Sequence, residues 1–220
     1  MADRKEAFAA HTSIANKDST SATLPTPSLV LASASPRRLS LLKQIGVIPD
    51  IVSPADIDEA AHKDELPRDT AKRLSQEKAH AVFPQFGGKF LLAADTVVAV
   101  GRRALNKAEN EEEAYSFLKL LSGRRHQVHT GVTLAMPNET TISRLVSSSV
   151  VFKALSEHEL RSYIQTEEWR GKAGGYAIQG RAASFVRSIQ GSYSNVVGLP
   201  LFEVSNMLIG NGFDIWTSRE

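Results

Sequence analysis

The chain has 220 residues, of which 42% are hydrophobic, 7% aromatic and 23% charged, and its 26 basic and 24 acidic side chains leave a formal net charge of +2. This composition fits one sizeable globular domain, or two small lobes around a cleft, and gives little support for a nucleic-acid or membrane partner. The absence of cysteine excludes disulfides and thiolate metal sites.

Residues 1–28 are predicted to be a disordered leader in front of the fold. They carry three bases and three acids but no apolar core of the kind that a signal peptide needs. Residues 19–28 are dominated by Ser, Thr and Pro, which favour disorder. No apolar run in the chain reaches transmembrane length. The absence of cysteine makes a reducing cytoplasm the expected location.

The first predicted element is a buried strand that begins at Leu29 and leads through small residues into a helix at 36–45. Ser35 is a favourable N-cap, and the proline after it is a favourable first helical residue. A helix N-terminus attracts anions, and Arg37 and Arg38 add positive charge there. The segment indicates a site for polyphosphate or another anion. An ordinary α/β junction with solvated arginines explains it about as well.

The following elements mix helices with strands. They are a strand at 47–52, an acidic loop at 53–64, helices at 67–82 and 109–121, strands at 90–100, 127–136 and 140–152, a short capped helix that ends at 164, a glycine-rich segment at 171–180, a strand at 185–189 and a helix at 201–208. The pattern predicts a mixed α/β domain over residues 29–212, with antiparallel pairing at 127–152 and a tail at 213–220.

Two charged residues interrupt apolar patterns. Asp95 lies inside the apolar strand at 90–100, and an unpaired buried carboxylate is costly. We expect a cation, a metal or hydrogen-bond donors beside Asp95. The residue then either belongs to a functional site or stabilises a turn. Lys78 follows Ala71 and Leu74 on the apolar stripe of its helix. A phosphate ligand and a snorkelling lysine explain this position equally well.

The acidic loop and the histidines are the candidate metal ligands. Asp56, Asp58 and Glu59 offer the oxygen atoms that a hard divalent cation prefers, although composition alone favours a solvated loop for the two aspartates. His126 and His129 are three positions apart in a strand and face opposite sides. All six histidines are therefore expected to be structural or exposed.

One polar residue stands out in the glycine-rich segment. Gln179 lies between glycines, and its amide offers one acceptor and two donors. Such a group can recognise the edge of a pyrimidine base. From the residues alone, a loop glutamine bonded to the backbone is the simpler interpretation.

Taken in order, these segments resemble the Maf family of nucleoside triphosphate pyrophosphatases over residues 29–208. The resemblance rests on seven motifs, LASASPRR at 31–38, EKA at 77–79, ADTVV at 94–98, LNK at 105–107, SG at 122–123, YAIQG at 176–180 and GSYSNVVGLP at 191–200. It implies a mixed sheet in two lobes around a central cleft, similar to inosine triphosphate pyrophosphatases and Ham1-like proteins. It also implies hydrolysis between the α- and β-phosphates with Mg²⁺, Mn²⁺ or Co²⁺.

The resemblance assigns roles to nine residues. It implies that Asp95 is the proton acceptor and that Asp95 and Glu59 bind the metal. Catalytic roles extend to Lys78 and Lys107. The implied substrate-binding and specificity positions are Ser33, Arg37, Arg38, Thr96 and Gln179.

The resemblance also indicates a branch of the family. Arg37 and Gln179 are similar to the residues of the branch that acts on dTTP and UTP. The branch acting on 7-methyl-GTP usually has an aromatic residue and a glutamate there, and remains the alternative. A regulator of septum formation that binds nucleotide without turnover is a second alternative, and a homodimer is left open. Ala108 replaces a frequent family proline, which leaves the rigidity of the Lys107 loop open.

Overall fold

Residues 27–216 are described by a computed structural model, and the predicted leader lies outside the described residues except for its last two positions. The strands are β1 (Leu29–Ala32), β2 (Ile51–Val52), β3 (Phe90–Val100), β4 (Arg103–Leu105), β5 (Arg125–Ala135), β6 (Thr141–Phe152) and β7 (Val186–Gln190). The α-helices are α1 (Pro36–Gln44), α2 (Pro67–Val82), α3 (Glu111–Leu121), α4 (Glu157–Ile164), α5 (Tyr193–Val197) and α6 (Leu201–Gly210). Two short 3₁₀ turns are Phe83–Phe86 and Arg181–Phe185.

The strands form one mixed sheet in the order β2-β1-β3-β5-β6-β7, with β4 paired to β3. Strand β1 is parallel to β2 and β3, whereas β3 pairs antiparallel with β5, and β5 with β6. This arrangement confirms the predicted mixed α/β class. The division into two lobes stays a prediction.

A gap along one edge of β3 creates the opening in the fold. Strand β1 covers only residues 90–93 of β3, and β4 covers only residues 98–100. Between them, residues 94–97 of β3 pair with β5 on the other edge alone. Asp95 and Thr96 lie in this gap, so two polar side chains of the central strand reach a cleft instead of a closed core.

Residues that alternate along the strands divide the core between the two faces of the sheet. On one face, Leu29 and Leu31 belong to a large apolar cluster that includes residues of α1, α3, α4 and α6. On the other face, Val30 and Ala32 pack in a smaller cluster with residues of α2. Among the described α-helices, α2 is the one that contributes residues to this smaller cluster.

Helix α2 approaches the sheet closely at Gly131 of β5. A β-carbon at this position would lie only 2.2 Å from the carbonyl oxygen of Ala71. Gly131 pairs with Asp95 across β3 and β5. The missing side chain thus lets α2 lie directly over the part of the sheet that carries Asp95.

Most long elements agree with the predictions, and the short ones differ. Helix α2 and strand β3 have their predicted bounds, and the predicted capping box at Ser156 is present. The strand predicted at 47–52 is reduced to 51–52, because Pro49 has no N–H with which to extend the ladder. At the other end, Phe213 is buried and contacts Phe90 edge-on at 5.5 Å. Packing therefore continues beyond residue 212.

His126 is buried in the core, where its Nε2 shares a hydrogen bond of 2.9 Å with the Tyr176 hydroxyl. Its Nδ1 has no hydrogen-bond partner within the described residues. Burial lowers the pKa of His126 from 6.5 to about 4. A neutral, structural histidine agrees with the prediction from the sequence.

As the pH is lowered, His126 is expected to reduce the stability of the fold at a higher pH than the carboxylates do. Between about pH 6.5 and pH 4 the unfolded chain binds a proton that folded His126 does not, so stability falls as the pH is lowered. From about pH 7 to about pH 5 this amounts to roughly 2 kcal/mol. Denaturant unfolding of the wild type and H126Q at both pH values measures it.

The substitution H126Q should remove most of this loss. Burial also lowers the pKa of His129, which leaves a smaller dependence of the same sign. Glu59, Glu65 and Glu159 have pKa values of about 2 and lose stabilisation only below their ordinary value of 4.5. An equal loss in the wild type and H126Q would contradict the assignment to His126.

Candidate active site

The gap beside β3 opens into a cleft of about 430 Å³. It is bounded by the β1–α1 loop, the acidic loop, α2, β3, residues 170–179 and residues 196–198. All nine site residues predicted from the sequence line this cleft. They are Ser33, Arg37, Arg38, Glu59, Lys78, Asp95, Thr96, Lys107 and Gln179. Asp56 and Asp58 are exposed and are not among the lining residues.

The β1–α1 loop lines the cleft and contains an internal hydrogen bond. Ser35 occupies the N-cap of α1 in an extended conformation, but its side chain makes no capping hydrogen bond. Instead, the Ser35 N–H donates to the hydroxyl of Ser33 at 3.2 Å. The predicted N-cap position of Ser35 is therefore confirmed, and its N–H is used within the loop.

Asp95 is buried and paired with a lysine from the helix above it. Lys78 Nζ lies 2.5 Å from Asp95 Oδ1 and 2.6 Å from Glu59 Oε1. The lysine thus joins two carboxylates and does not snorkel to solvent. Asp95 Oδ2 makes no hydrogen bond to the described residues, so it remains available to accept one from water.

Glu59 lies between two lysines. Its Oε1 contacts Lys78, and its Oε2 accepts a hydrogen bond of 2.9 Å from Lys107 Nζ. Burial raises the pKa of Glu59, but the hydrogen bonds and charges of the two lysines outweigh it and hold the pKa at about 2. Glu59 is therefore ionised at neutral pH, and the acidic loop is tied across the cleft.

Arg38 connects the segments that form the wall of the cleft opposite α2. Its Nε donates to the Gly198 carbonyl at 2.9 Å, and its terminal nitrogens donate to Ser33 Oγ at 3.0 Å and Thr96 Oγ1 at 3.2 Å. The Thr96 hydroxyl also shares a hydrogen bond of 3.0 Å with Thr130. Burial lowers the pKa of Arg38, whereas the charges of Asp95 and Glu59 raise it.

This network changes the interpretation of two residues. Arg38 has five N–H donors, and three atoms of its guanidinium already donate to protein oxygens. It ties three segments together and is more than a simple phosphate ligand. Thr96 contributes its hydroxyl to the same network.

Arg37 and Gln179 also line the cleft, but they have no such partners among the described residues. Arg37 is half-buried and makes no hydrogen bond or ion pair with residues 27–216. Burial and the nearby Arg38 charge lower its pKa. Gln179 is exposed, and its amide makes no hydrogen bond within the same range. A glutamine bonded to the backbone is therefore not observed.

Three contacts anchor the glycine-rich segment that carries Gln179. The Tyr176 hydroxyl is paired with His126, and the Ala177 N–H donates to the Tyr163 hydroxyl at 2.9 Å. The Gly174 N–H donates to the Leu105 carbonyl at 2.9 Å. The segment is therefore fixed to β5, α4 and β4, and the Gln179 amide projects from an anchored loop.

The same region holds the Lys107 loop in place. Lys107 and Ala173 form an isolated antiparallel bridge, and Ala108 is buried. Backbone hydrogen bonding thus restrains a loop for which the sequence lacks the frequent family proline.

Sequence reasoning missed two cations of the cleft, Arg170 and Lys172. They stand at the start of the glycine-rich segment, and this proximity was the available signal.

Among the described residues, no group of three or more His, Cys, Asp or Glu side chains is placed to hold a metal. No helix in the described range has the length and apolarity needed to cross a bilayer.

Comparisons with known proteins place the chain in a family. Residues 28–210 match the model described as Maf-like protein. A dTTP/UTP pyrophosphatase of Caulobacter vibrioides is 57% identical over 85% of this chain and 97% of its own length. One of Rhodospirillum rubrum is 56% identical over 84% of this chain and 88% of its own. The Ham1 protein of Staphylococcus aureus is similar in structure, with a TM-score of 0.39 and 20% identity over 57% of this chain and 71% of its own. Because the family match extends over nearly all of the described residues, the chain belongs to the Maf family.

Proposed function

We propose that this chain hydrolyses dTTP and UTP to the nucleoside monophosphate and pyrophosphate. The carrying observation is the buried Asp95, whose free carboxylate oxygen faces a cleft with cations on opposite sides. A triphosphate needs such cations, and its hydrolysis needs a positioned base. Relatives more than 50% identical over most of the chain carry the name dTTP/UTP pyrophosphatase.

In the proposed reaction Asp95 orients water and accepts its proton. The water oxygen forms a bond to the α-phosphorus, and the bond from that phosphorus to the oxygen bridging the α- and β-phosphates breaks. Pyrophosphate leaves with the electron pair of that bond. Asp95 Oδ2 is the atom that holds the water, because Oδ1 is engaged by Lys78.

The lysines stabilise the charge that moves onto the leaving group. Lys78 and Lys107 are neutralised by Asp95 and Glu59 in the free protein. Phosphate oxygens compete with these carboxylates for the ammonium groups when the triphosphate enters. Preorganised cations at such a position act mainly by electrostatics.

The residues also fit a divalent cation. Asp95 and Glu59 lie close together, since both contact Lys78 Nζ, and both offer hard oxygen donors. We propose that these two carboxylates hold Mg²⁺, Mn²⁺ or Co²⁺ together with substrate oxygens. Such an ion, when bound, supplies charge neutralisation and lowers the pKa of bound water.

Substitution of Gln179 is expected to reduce discrimination among pyrimidines. The Gln179 amide has no partner among residues 27–216, so it can pair with the carbonyl and N–H groups of uracil or thymine. A site that hydrogen-bonds one base discriminates against a mismatched base more strongly than an apolar pocket discriminates against one extra methyl group. We expect Q179A to lower kcat/KM for UTP and dTTP at least about tenfold relative to CTP.

Gln165, which is exposed and does not line the cleft, provides the matched control. The variant Q165A should leave the ratios among UTP, dTTP and CTP unchanged. If the ratios in Q179A equal those of the wild type, the base is recognised elsewhere.

A nucleotide panel tests the proposed function as a whole. Pyrophosphate and phosphate release are measured for dTTP, UTP, CTP and 7-methyl-GTP with each of the three metals. Pyrophosphate from dTTP and UTP is the expected result. Phosphate alone would overturn the cleavage position, preference for 7-methyl-GTP would favour the other branch, and binding without turnover would favour a regulator. The cytoplasmic location and the homodimer stay predictions from the sequence.

A further inference from the structure

Lys172 lines the cleft without an acidic partner. It is half-buried, and its Nζ donates to the backbone carbonyl of Arg170 at 2.9 Å. No carboxylate within residues 27–216 lies within ion-pair distance of this ammonium group. An ammonium group has three donors, so two remain available to a ligand.

The backbone around Lys172 is held on both sides. Its N–H donates to the Trp169 carbonyl at 3.1 Å, and its carbonyl accepts from the Gly175 N–H at 3.0 Å. Trp169 is itself buried, and its indole N–H donates to the Ile164 carbonyl. The backbone that carries the Lys172 ammonium group is therefore held in place by hydrogen bonds.

Arg37 and Lys172 are two cations of the same cleft, and unlike Lys78 and Lys107 they have no ion-pair partner among residues 27–216. Burial lowers the pKa of Lys172, and the charge of Arg37 lowers it further, while Glu168 opposes the effect. Arg37 makes no ion pair with the described residues either. Two partly desolvated cations that repel each other are stabilised when an anion binds between them.

We propose that Lys172, together with Arg37, binds phosphate oxygens of the substrate triphosphate as a second anion site of the cleft. The inference rests on the proposed function for the identity of the anion. Lys78 and Lys107 are paired with the carboxylates of the proposed reaction centre, whereas Arg37 and Lys172 have no acidic partner to displace within residues 27–216. Part of the charge of a triphosphate is therefore bound without breaking an existing ion pair.

The test measures binding of inorganic tripolyphosphate by calorimetry, because this probe has no base and requires no turnover. We expect Lys172→Met to weaken its binding at least about tenfold and to raise KM for UTP similarly with little change in kcat. Lys172→Arg should restore most of the affinity, since it keeps the charge. Lys43→Met provides the control, because Lys43 is exposed on α1 and does not line the cleft.

The outcomes separate this inference from the proposed function. Tripolyphosphate affinity that is unchanged in Lys172→Met overturns the inference, and a raised KM for UTP alone would assign Lys172 to the base. Equal losses in Lys172→Met and Lys172→Arg would indicate a packing defect and would also overturn it. If tripolyphosphate binding depends on Lys172 while UTP is not hydrolysed, the anion site stands and the proposed function fails.

Discussion

Asp95→Asn is expected to lower kcat for dTTP and UTP by a factor on the order of 10² to 10⁴, the usual contribution of a general base. The amide keeps the size of the carboxylate and an oxygen for Lys78, but it cannot accept the proton of the attacking water. Lys78 also retains Glu59 as an ionic partner. The fold should therefore survive, as unfolding and circular dichroism would show.

Pyrophosphate release from dTTP gives the readout for this variant. Asp56→Asn is a matched control, because Asp56 is an exposed carboxylate on the acidic loop and is not a lining residue. It should behave as the wild type. If Asp95→Asn releases pyrophosphate within a few-fold of the wild-type rate, Asp95 is not the base, because loss of a general base lowers the rate far more than that.

Gly131→Ala is expected to cost about 1–3 kcal/mol of stability, as overpacking typically does. The new methyl group would lie 2.2 Å from the Ala71 carbonyl oxygen, and this atom belongs to the backbone of α2. Helix and strand must separate to admit it. Because Lys78 lies on the same helix, its contact with Asp95 should lengthen, and kcat should fall by a factor on the order of ten to a hundred.

Gly87→Ala offers a control for the glycine substitution itself. A β-carbon at Gly87 would meet no atom within 4 Å, and its φ of −48° suits any residue. Denaturant unfolding and kcat for UTP should remain close to the wild-type values. If Gly131→Ala is equally harmless, the close approach of α2 is not what places Lys78.

Much of the fold follows from patterns that are visible in the sequence. The apolar run at 90–100 and the stripe of α2 are long enough for periodicity to define their bounds. Strand β4 and helix α5 have three and five residues, and periodicity carries little information over such lengths. They form because neighbouring segments pair with them, which a local pattern does not reveal.

The candidate site was predictable where its residues belong to motifs. Asp95 and Lys78 each broke an apolar pattern, Glu59 was a candidate from the acidic loop, and the family resemblance added Lys107. Lys172 was missed because its one signal, a position at the start of the glycine-rich segment, does not distinguish it from a solvated lysine. The bonding of Arg38 was missed for another reason, since its acceptor at Gly198 depends on tertiary packing.

The hydrogen bond between Arg38 and Gly198 joins positions 160 residues apart. During synthesis on the ribosome, α1, α2 and the whole sheet emerge before this acceptor does. A chain released or degraded before residue 198 therefore contains the proposed base and the lysines, but not the contact that holds the opposite wall. We expect catalysis to begin only after residue 198 has been made, so that products truncated before it consume little of the nucleotide pool.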